Sequence, residues 1–583
     1  MLTGLSDKTV AYLREQLGDI AEHRAANIRL EQMCGIERFF ANQQEFQLFW
    51  EGLHGTSGQS RHHQIRREYG DFQTPCVLAD AVCAHLRAQG RAPDILVEPT
   101  CGTGAFVLSA LKHFPSLQVV HGLEIYAPYY WQTKGRILEW ALTHVDAPRP
   151  RIRLWRGNVF THDFQMSACI AKGRDVLVIG NPPWVTSAEL SQLQSGNLPQ
   201  KRNINALQGL DALTGHSNFD ISETIVRLML DAFAAQRGSL AMLVKHALVK
   251  HLVHELPGLP YALQDVQATQ IDAGKWFNAS VDAALLEVTF QASTPARTCR
   301  VNAGWSSGTV DFGSYTFGWV GERFVADIDL YRDVAEFDSL SPYEWRQGLK
   351  HDCANVMELR PDNDAWRNGL EEWVDIEPDL IYGVLKSSDL QQALVTRSRK
   401  YVLVTQRALG DDTAVIAERC PRTFAYLTRH QARLERRKSR IYRGRPPFSI
   451  FGIGEYAFAP YKVAISGLYK HGNFALVAPE RGERPLMLDD TCYFLGFAEL
   501  ADAVCVWALL NTTRAKRLIR AITFKGDKRP YSKQRLMRIG LNRLAAVTQY
   551  SDIQRILQRL NAGFVDQISE ARWKTFIDQL QGA

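Results

Sequence analysis

Hydrophobic and polar residues follow two different patterns along this chain. Residues 1 to about 65 carry apolar side chains at mixed three- and four-residue spacing, which predicts helices; examples are Ile28, Leu30, Met33, Ile36, Phe39 and Phe40. From about residue 90 to 290, amphipathic helical segments alternate with short apolar runs, namely DILVEP, LQVVHGLEI, RIRLWRG, DVLVIGNPP, GSLAMLVK and AALLEVTF. Such runs are typical of strands buried on both faces. We therefore predict an α/β fold with a mostly parallel, doubly wound sheet.

The pattern of apolar and polar residues changes at two places, and these places divide the chain. The segment GTSGQSRHH, at residues 55 to 63, interrupts the helical pattern. After about Pro295 the alternation is lost, and Gly, Pro and aromatic residues appear at irregular spacing. We predict a helical N-terminal segment over residues 1–65, an α/β domain over residues 66–300, and a large α+β domain over residues 301–583.

Composition indicates where the protein resides and whether it holds disulfides or a metal. No stretch of about 18 apolar residues exists, and the N-terminus, MLTGLSDKTVAYLREQLGD, carries acids where a signal peptide needs a basic and then an apolar run. We therefore expect a cytoplasmic protein with no membrane partner. The ten cysteines form no CxxC pair and have no His at ligand spacing, so we expect reduced thiols and no metal site.

Positive charge is concentrated in the C-terminal half. The net charge is only +6, but residues 429 to 445, RHQARLERRKSRIYRGR, carry a single acid, and a second basic stretch covers residues 513 to 538. One such run alone is typical of a solvated helix face. Two runs interleaved with Tyr442, Phe448, Phe524 and Tyr531 favour a surface that neutralises phosphates. The candidate nucleic-acid-binding residues are Arg436, Arg437, Lys438, Arg440, Arg443, Lys525, Lys528 and Arg529.

Candidate ligand-binding residues follow the predicted strands, where open parallel sheets bind ligands. In EPTCGTG, residues 98 to 104, Glu98 ends a strand, and Gly102 and Gly104 let the backbone approach a ligand closely. The turn has neither the GxGxxG fingerprint nor the Lys-Ser/Thr of a P-loop. Glu124 ends the next strand, and an acid about twenty residues after such glycines suits the hydroxyls of a ribose. Asn158, after the third strand, could pair with the edge of an adenine.

The fourth strand ends in GNPPW, residues 180 to 184. Each proline lacks an N–H donor and fixes φ, so two together must end the strand and form a rigid corner. By itself this is also what an ordinary strand-ending turn looks like.

These motifs together resemble a known family. GDFQTP at residues 70 to 75, EPTCGTG, LEI at residues 123 to 125, and GNPPW occur in the order found in the gamma group of N6-adenine DNA methyltransferases. The resemblance covers residues of about 65 to 295 motif by motif. It implies a class I methyltransferase (Rossmann-like) domain, S-adenosylmethionine as cofactor, and a C-terminal target recognition domain that binds double-stranded DNA.

The resemblance also implies roles for individual residues. The cofactor site would comprise Thr74, Pro75, Glu98, Thr100, Gly102, Gly104, Glu124, Ile125, Asn158, Val159 and Asn181. The catalytic motif would be Asn181, Pro182, Pro183 and Trp184, with Trp184 and Phe277 stacking on the target base and Trp276 as the alternative to Phe277. Residues 217 to 233 match a segment that contacts cofactor and base. This chain departs from the family with Asn158, often Asp there, and with Trp184, usually Tyr or Phe. Thr74 could also be the N-cap of a following helix.

The implied chemistry needs no strong base. The side-chain oxygen of Asn181 and the carbonyl of Pro182 would accept both N6 hydrogens of a flipped adenine and stabilise the positive charge developing on nitrogen. Neither a metal nor a covalent enzyme intermediate is implied.

Other functions use related motifs. N4-cytosine DNA methyltransferases usually have Ser in place of Asn181, and RNA or protein-glutamine methyltransferases also carry NPP-aromatic motifs. A non-catalytic DNA-binding subunit is a further alternative, although Glu98, Gly102, Glu124 and Asn181 are intact. Residues 374 to 390 resemble parts of large bacterial restriction-modification methyltransferases. We expect a modification enzyme of a restriction or phage-defence system, with a separate restriction endonuclease as a candidate second partner.

Overall fold

The computed structural model describes residues 5–54, 72–185, 220–260, 262–291, 294–304, 313–363, 365–469, 472–480, 483–524, 526–560 and 568–582. The chain divides into two units, Met1–Arg323 and Phe324–Ala583, called here the first and the second unit.

The first unit is built on one large sheet. Its described strands run in the order β10-β9-β8-β6-β7-β5-β4-β1-β2-β3, and the division between the units falls within β10. Their bounds are β1 Ile95–Glu98, β2 Val119–Glu124, β3 Arg151–Arg156, β4 Val176–Gly180, β5 Gly238–Lys245, β6 Gln264–Ile271, β7 Ala283–Thr289, β8 Thr298–Asn302, β9 Tyr315–Val320 and β10 Arg323–Val325. Strands β1 to β5 are parallel to one another, and β7 lies antiparallel between β5 and β6. The predicted doubly wound α/β fold is confirmed.

Helices cover the sheet. Those of the first unit are α1 Asp7–Leu17, α2 His23–Cys34, α3 Gln43–His54, α4 Cys76–Ala88, α5 Ala105–His113, α6 Ala127–Thr143 and α7 Gln165–Ala171, followed by helices at Ile221–Phe233, His246–Glu255 and Ala273–Phe277 and a 3₁₀ turn at Leu256–Gly258. The sequence pattern did not predict strand β6, because QDVQATQI is rich in polar residues and contains no apolar run. Strands β8 and β9 continue the sheet on both sides of the boundary expected near residue 300.

The N-terminal helices pack into the core of the first unit. Phe39 lies 5.7 Å from Phe49 and 6.2 Å from Trp131 of α6, measured between ring centroids. Lys134 of α6 is buried beneath this cluster, where its Nζ donates to the Phe39 carbonyl at 2.5 Å and lies 4.1 Å from the ring centroid of Tyr130. The segment predicted over residues 1–65 therefore supports the same helix that follows the acid of β2.

The second unit contains two smaller sheets. One has the strand order β11-β21-β18-β19-β16 and the other β14-β13-β12-β17-β15-β20. The strands are β11 Arg346–Gln347, β12 Glu358–Asp362, β13 Ala365–Asn368, β14 Trp373–Val374, β15 Ile381–Leu385, β16 Leu394–Val395, β17 Lys400–Leu403, β18 Tyr461–Ser466, β19 Ala475–Val477, β20 Met487–Leu488 and β21 Cys492–Phe497. This unit matches the predicted α+β character.

Short helices surround these sheets. They lie at Ile328–Arg332, Ala354–Met357, Ile416–Arg419, Pro421–Arg429, Gln431–Glu435, Leu500–Leu510, Thr513–Ile522, Lys533–Leu536, Leu541–Val547, Tyr550–Leu557 and Glu570–Gly582, with 3₁₀ turns at Ala335–Phe337, Pro378–Leu380, Ser387–Gln391, Thr413–Val415, Arg440–Tyr442 and Glu455–Phe458. Leu500–Leu510 is buried over most of its length, and its Trp507 donates its indole N–H to the Phe474 carbonyl at 2.8 Å.

The described residues can also be searched for membrane-spanning helices and for groups of metal ligands. No helix among the described residues has the length and apolar character needed to cross a bilayer. In the same residues, no group of three His, Cys, Asp or Glu side chains is placed to hold a metal ion. All ten cysteines are free thiols, and most of them are buried.

The buried Lys134 makes stability depend on pH. Burial lowers the pKa of Lys134 to about 7, whereas an unfolded lysine stays charged up to its ordinary pKa of ~10.4. Between these values unfolding takes up a proton, so the free energy of unfolding should rise with pH by at most about 1.4 kcal/mol per pH unit. Denaturant unfolding of Lys134→Met between pH 7.5 and 10 should show a shallower rise than the wild type. The exposed Lys8→Met is the control, and an unchanged slope in Lys134→Met would contradict the prediction.

Candidate active site

The predicted site residues meet at one edge of the sheet. Glu98 is the last residue of β1, Glu124 is the last residue of β2, and Asn181 directly follows β4. Because β1 pairs in parallel with β2 on one side and with β4 on the other, all three strands end at the same edge. The strand order reverses at β1 and β4, which is where open α/β sheets leave a crevice for a ligand.

The glycine turn after β1 is rigid and narrow. Gly102 and Gly104 have φ values of +52° and +79°, which side chains other than glycine rarely adopt. A Cβ on Gly102 would lie 2.5 Å from the side-chain oxygen of Gln73, and one on Gly104 would lie 2.7 Å from Thr133. The Gln73 oxygen accepts from the Thr103 amide at 2.9 Å, and the Thr133 hydroxyl donates to the Gly102 carbonyl at 2.8 Å. The sequence did not reveal Gln73 or Thr133 as supports of the turn.

The acid after β2 is tied to this turn. One carboxylate oxygen of Glu124 accepts from the Gly102 amide at 2.8 Å, and the other accepts from the Tyr126 amide at 2.7 Å. Glu124 is buried, so these two bonds fix the direction of its carboxylate beside the turn. A ribose lying on the glycine turn would meet this carboxylate.

Glu98 has a different environment from Glu124. It is buried and accepts from the Val107 amide in the first turn of α5 at 3.1 Å. Burial raises the pKa of Glu98 well above its usual range, and the nearby Glu124 carboxylate adds to that rise. The protonated form of Glu98, which can donate a hydrogen bond as well as accept one, is thus favoured relative to an exposed glutamate.

Asn158 uses its oxygen within the turn after β3. Its Oδ1 accepts from the Phe160 amide at 2.9 Å, which leaves Nδ2 as its polar group for a ligand. An amide nitrogen donates, whereas the aspartate common in the resembled family would only accept. Of the other predicted cofactor residues, Val159 is buried, Ile125 is 37% exposed, and the buried hydroxyl of Thr100 has no hydrogen-bond partner in the described part of the chain.

The upstream Thr-Pro segment begins helix α4. Pro75 occupies the N-cap position, and its carbonyl accepts from the Leu78 amide at 3.0 Å. The alternative in which Thr74 is the N-cap is therefore wrong. It requires a helix that begins at Pro75, whereas α4 begins at Cys76. Residues 70 and 71 of this motif and residues 217 to 219 of the segment after GNPPW lie outside the described residues.

Asn181 is held in one orientation by a residue that the sequence did not single out. Its Nδ2 donates to the Phe72 carbonyl at 2.9 Å. Its Oδ1 is buried and has no hydrogen-bond partner among the described residues. Leaving a buried acceptor unpaired costs roughly 1–3 kcal/mol, so such an atom needs an explanation. A ligand with an N–H donor would provide the missing partner.

Aromatic rings line the space beside Asn181. Trp184 packs edge to face on Phe277 with 5.0 Å between ring centroids, and its indole N–H donates to the Leu243 carbonyl at 3.2 Å. Both rings are buried, whereas Phe72, 5.8 Å from Trp184, is 36% exposed. The two predicted base-stacking residues thus lie together, and Phe72 adds a third, more accessible ring. Trp276, the alternative to Phe277, lies under the ammonium of Lys275 instead.

The first basic run contains both free and engaged cations. Arg436, Lys438, Arg440 and Arg443 are exposed and form no ion pair within the described residues. Arg437 is half-buried, donates to the Ser449 carbonyl at 2.7 Å and to the Leu434 carbonyl at 2.8 Å, and stacks 3.6 Å from the ring of Tyr442. Its predicted role in DNA binding is corrected to a structural one, because its N–H donors are used by backbone carbonyls.

In the described part of the second basic run, four cations form ion pairs with acids of the same unit. Its ion pairs are Arg517–Asp333, Lys533–Glu344, Arg535–Asp527 and Arg538–Asp338. Arg529 donates to the Asp490 carbonyl at 3.3 Å, Lys528 is exposed, and Lys525 lies outside the described residues. Phe448, Phe524 and Tyr531 are buried, so the expectation that these rings lie on a nucleic-acid surface is wrong.

The different environments of Arg436 and Arg437 lead to a prediction about stability. Arg437→Ala should lower the free energy of unfolding by about 2–3 kcal/mol, because it leaves buried carbonyls unpaired. Arg436→Ala should change it by less than about 0.5 kcal/mol. Denaturant unfolding monitored by tryptophan fluorescence compares the two variants. Equal effects would show that Arg437 is not the anchor of this segment.

Comparison with known proteins identifies the family. No protein-family model matches the sequence. The chain is 36% identical over 486 residues to the type II methyltransferase M.NspV of Nostoc sp., and the alignment covers 83% of this chain and 98% of that protein.

A solved structure supports the fold. The type IIL restriction-modification enzyme MmeI, determined in complex with DNA, matches with a TM-score of 0.50 at 10% identity, covering 98% of this chain and 77% of that one. The glycine turn after β1 and the fixed carboxylate of Glu124 fit S-adenosylmethionine, the cofactor of methyltransferases with this fold, so the predicted cofactor is confirmed. The identity to M.NspV extends over nearly all of that protein, and the chain therefore belongs to the family of type II methyltransferases.

Proposed function

We propose that this protein methylates N6 of an adenine flipped out of duplex DNA, as the modification enzyme of a restriction-modification or phage-defence system. The observation that carries the proposal is the buried Oδ1 of Asn181, which has no partner among the described residues. The bond from Nδ2 to the Phe72 carbonyl engages the nitrogen and leaves this oxygen as the acceptor of the amide for a ligand. An exocyclic amine is the group that such an acceptor would recognise.

The corner after β4 would hold the amine at two points. The Oδ1 of Asn181 and the carbonyl of Pro182 are acceptors for the two N6 hydrogens, and the fixed φ of Pro182 and Pro183 sets the direction of the backbone. When both hydrogens are held, the nitrogen lone pair is turned out of conjugation with the ring and the developing positive charge is stabilised. S-adenosylmethionine supplies an electrophilic methyl group. Asn181 acts as an orienting acceptor and exchanges no proton.

An adenine can reach this corner only after it leaves the duplex. Enzymes that act on a base inside DNA extrude it and stack it against aromatic side chains. Phe72, Trp184 and Phe277 form an aromatic wall beside Asn181, and the exposed part of Phe72 offers the most accessible ring face. This arrangement favours a planar base over an extended peptide as the substrate.

The second unit supports DNA as the carrier of that base. Many of its arginines are ion-paired, for example Arg397 with Glu480 and Arg399 with Asp389. Arg436, Lys438 and Arg440 are exposed without such partners in the described part of the unit. Cations that form no internal pair remain available to neutralise phosphates and release counterions. The relative M.NspV, named as a type II methyltransferase, and the DNA complex of MmeI agree with this substrate.

Product analysis tests the proposal directly. Incubating the protein with duplex DNA and tritiated S-adenosylmethionine should place the label in N6-methyladenine after digestion to nucleosides. The same acceptors would also suit the exocyclic amine of cytosine, so label in N4-methylcytosine would refute adenine specificity. Label in RNA but not in DNA would refute the proposed substrate.

Two single substitutions should separate catalysis from cofactor binding. Asn181→Ala removes an acceptor used in the transition state and should lower kcat by about 10²–10³-fold. Its affinity for S-adenosylmethionine should change by less than threefold (~0.6 kcal/mol). Glu124→Ala should instead weaken cofactor binding by roughly ten- to hundredfold, because a charge-assisted bond to the ribose is lost. Single-turnover kinetics and calorimetry distinguish them, and undiminished transfer by Asn181→Ala would refute its role.

The free cations should control the salt dependence of DNA binding. Replacing Arg436, Lys438 and Arg440 with Ala should lower the slope of log K against log [salt] by roughly 2.7, about 0.9 for each lost phosphate contact. Arg437 is left intact because its loss would disturb the segment. Arg397→Ala with Arg399→Ala, which removes two exposed but ion-paired arginines, is the matched control. A slope unchanged in the triple variant would locate the DNA surface elsewhere.

A further inference from the structure

A second pocket lies at the opposite edge of the same sheet. It has a volume of about 380 Å³ and is lined by Val119 and Arg151, the first residues of β2 and β3, and by side chains that follow α7. The candidate active site follows the carboxyl ends of the strands, whereas this pocket lies at their amino ends. It is therefore a separate site in the first unit, and the methyltransferase chemistry does not use it.

One face of β2 and β3 supplies the floor of the pocket. Parallel pairing places Val119 beside Arg151 and His121 beside Arg153, so both arginines project from the same face of β3. The Glu37 carboxylate accepts from Nε of Arg151 at 2.7 Å and also from Nε of Arg153. A single carboxylate thus orients two guanidinium groups and leaves an excess of positive charge. Each guanidinium has five N–H donors, so one bond to Glu37 uses only part of this capacity.

Two further cations border the pocket. Lys172 follows the end of α7 and is exposed, and Arg174 precedes β4 and is half-buried. Neither forms an ion pair with any of the residues that the structure describes. This contrasts with Arg237 nearby, which lies 3.4 Å from the carboxylate of Asp175. Lys172 and Arg174 therefore add positive charge that no acid of the described chain compensates.

His121 supplies the observation that points to a ligand. It lines the pocket and is 1% exposed, yet neither of its ring nitrogens has a hydrogen-bond partner among the described residues. Its ring packs edge to face on Trp155, 5.0 Å away between centroids. Burial, with Arg153 adding to it, lowers the pKa of His121 to about 4, so the ring is neutral at neutral pH. A neutral imidazole buried beside a pocket has one N–H to donate and one nitrogen that accepts.

We propose that this pocket binds the phosphate group of a small phosphate ester, held by Arg151, Arg153, Lys172 and Arg174 and contacted by the imidazole of His121. Phosphate suits the site because its several oxygens can accept from paired guanidinium groups and from an N–H at the same time. The volume exceeds what the anion alone requires. An adjoining hollow of about 690 Å³ shares Lys172 with the pocket and is lined by Gln165 and Gln236, whose amides suit the polar part of an ester.

Calorimetry with three probes tests the assignment. The full-length protein is titrated with ribose 5-phosphate, inorganic phosphate and ribose, in the presence of S-adenosylhomocysteine so that the cofactor site is filled. Ribose 5-phosphate should bind, inorganic phosphate should bind more weakly, and ribose should give no saturable heat. The double variant Lys172→Ala with Arg174→Ala should weaken binding of ribose 5-phosphate at least tenfold, and His121→Phe at least threefold. The exposed Arg87→Ala, outside the pocket, should bind as the wild type does.

Several results would overturn the proposal. One is no saturable heat from either phosphate compound, and another is equal affinity in the wild type and the double variant. A third result combines two observations: ribose 5-phosphate binds neither the wild type nor the double variant, and the double variant no longer binds a short DNA duplex. This result would make the pocket a contact for nucleic acid. The double variant alters side chains outside the hydrophobic core, so it decides the question even if His121→Phe fails to fold.

Discussion

Parallel pairing of β1 with both β2 and β4 is the constraint on which the candidate active site depends. Parallel neighbours end at the same edge, so Glu98, Glu124 and Asn181 meet although long segments of chain separate them. Because the strand order reverses between β1 and β4, the connections leave in opposite directions and open a crevice. The site therefore follows from topology, and the residues after each strand need only be of the right chemical type.

Rigidity at this edge comes from hydrogen bonds that leave one buried atom without a partner among the described residues. Gln73 and Thr133 hold the glycine turn, and the Phe72 carbonyl holds the amide of Asn181. The Oδ1 of Asn181 is buried and meets no donor in the part of the chain that the structure describes, while the Nδ2 of the same amide is fixed by the Phe72 carbonyl. An acceptor aimed in advance at a developing charge needs no reorganisation when the reaction occurs, and such preorganisation is a main source of catalytic power. The bond from Asn181 to the Phe72 carbonyl also connects the segment before α4 to the corner after β4.

In the second unit, the number of Lys and Arg residues does not predict which of them are free to bind a ligand. Arg436 and Arg437 are adjacent residues of the same type, yet one is exposed and the other is bonded to backbone carbonyls beneath Tyr442. The basic run after residue 513 contains many charges, but several of them neutralise acids of the same unit. Counting Lys and Arg predicts a region of positive potential. It does not predict which of them can reach a phosphate, because that depends on where the acids and carbonyls lie in the fold.

The sequence by itself determined the strands with apolar runs, the glycine turn, the acid after β2, and the rigid Asn-Pro-Pro-Trp corner. These features are local, since apolar runs, φ-restricted prolines and permissive glycines act on their own stretch of backbone. The tertiary structure alone decided that β6 completes the sheet, that Phe72 orients Asn181, that Trp184 and Phe277 pack on each other, and that Arg437 is internal. It also placed His121 between cations from β3 and from the segment after α7. Each of these facts joins residues that are distant in sequence, and the periodicity of one segment carries no information about its partner.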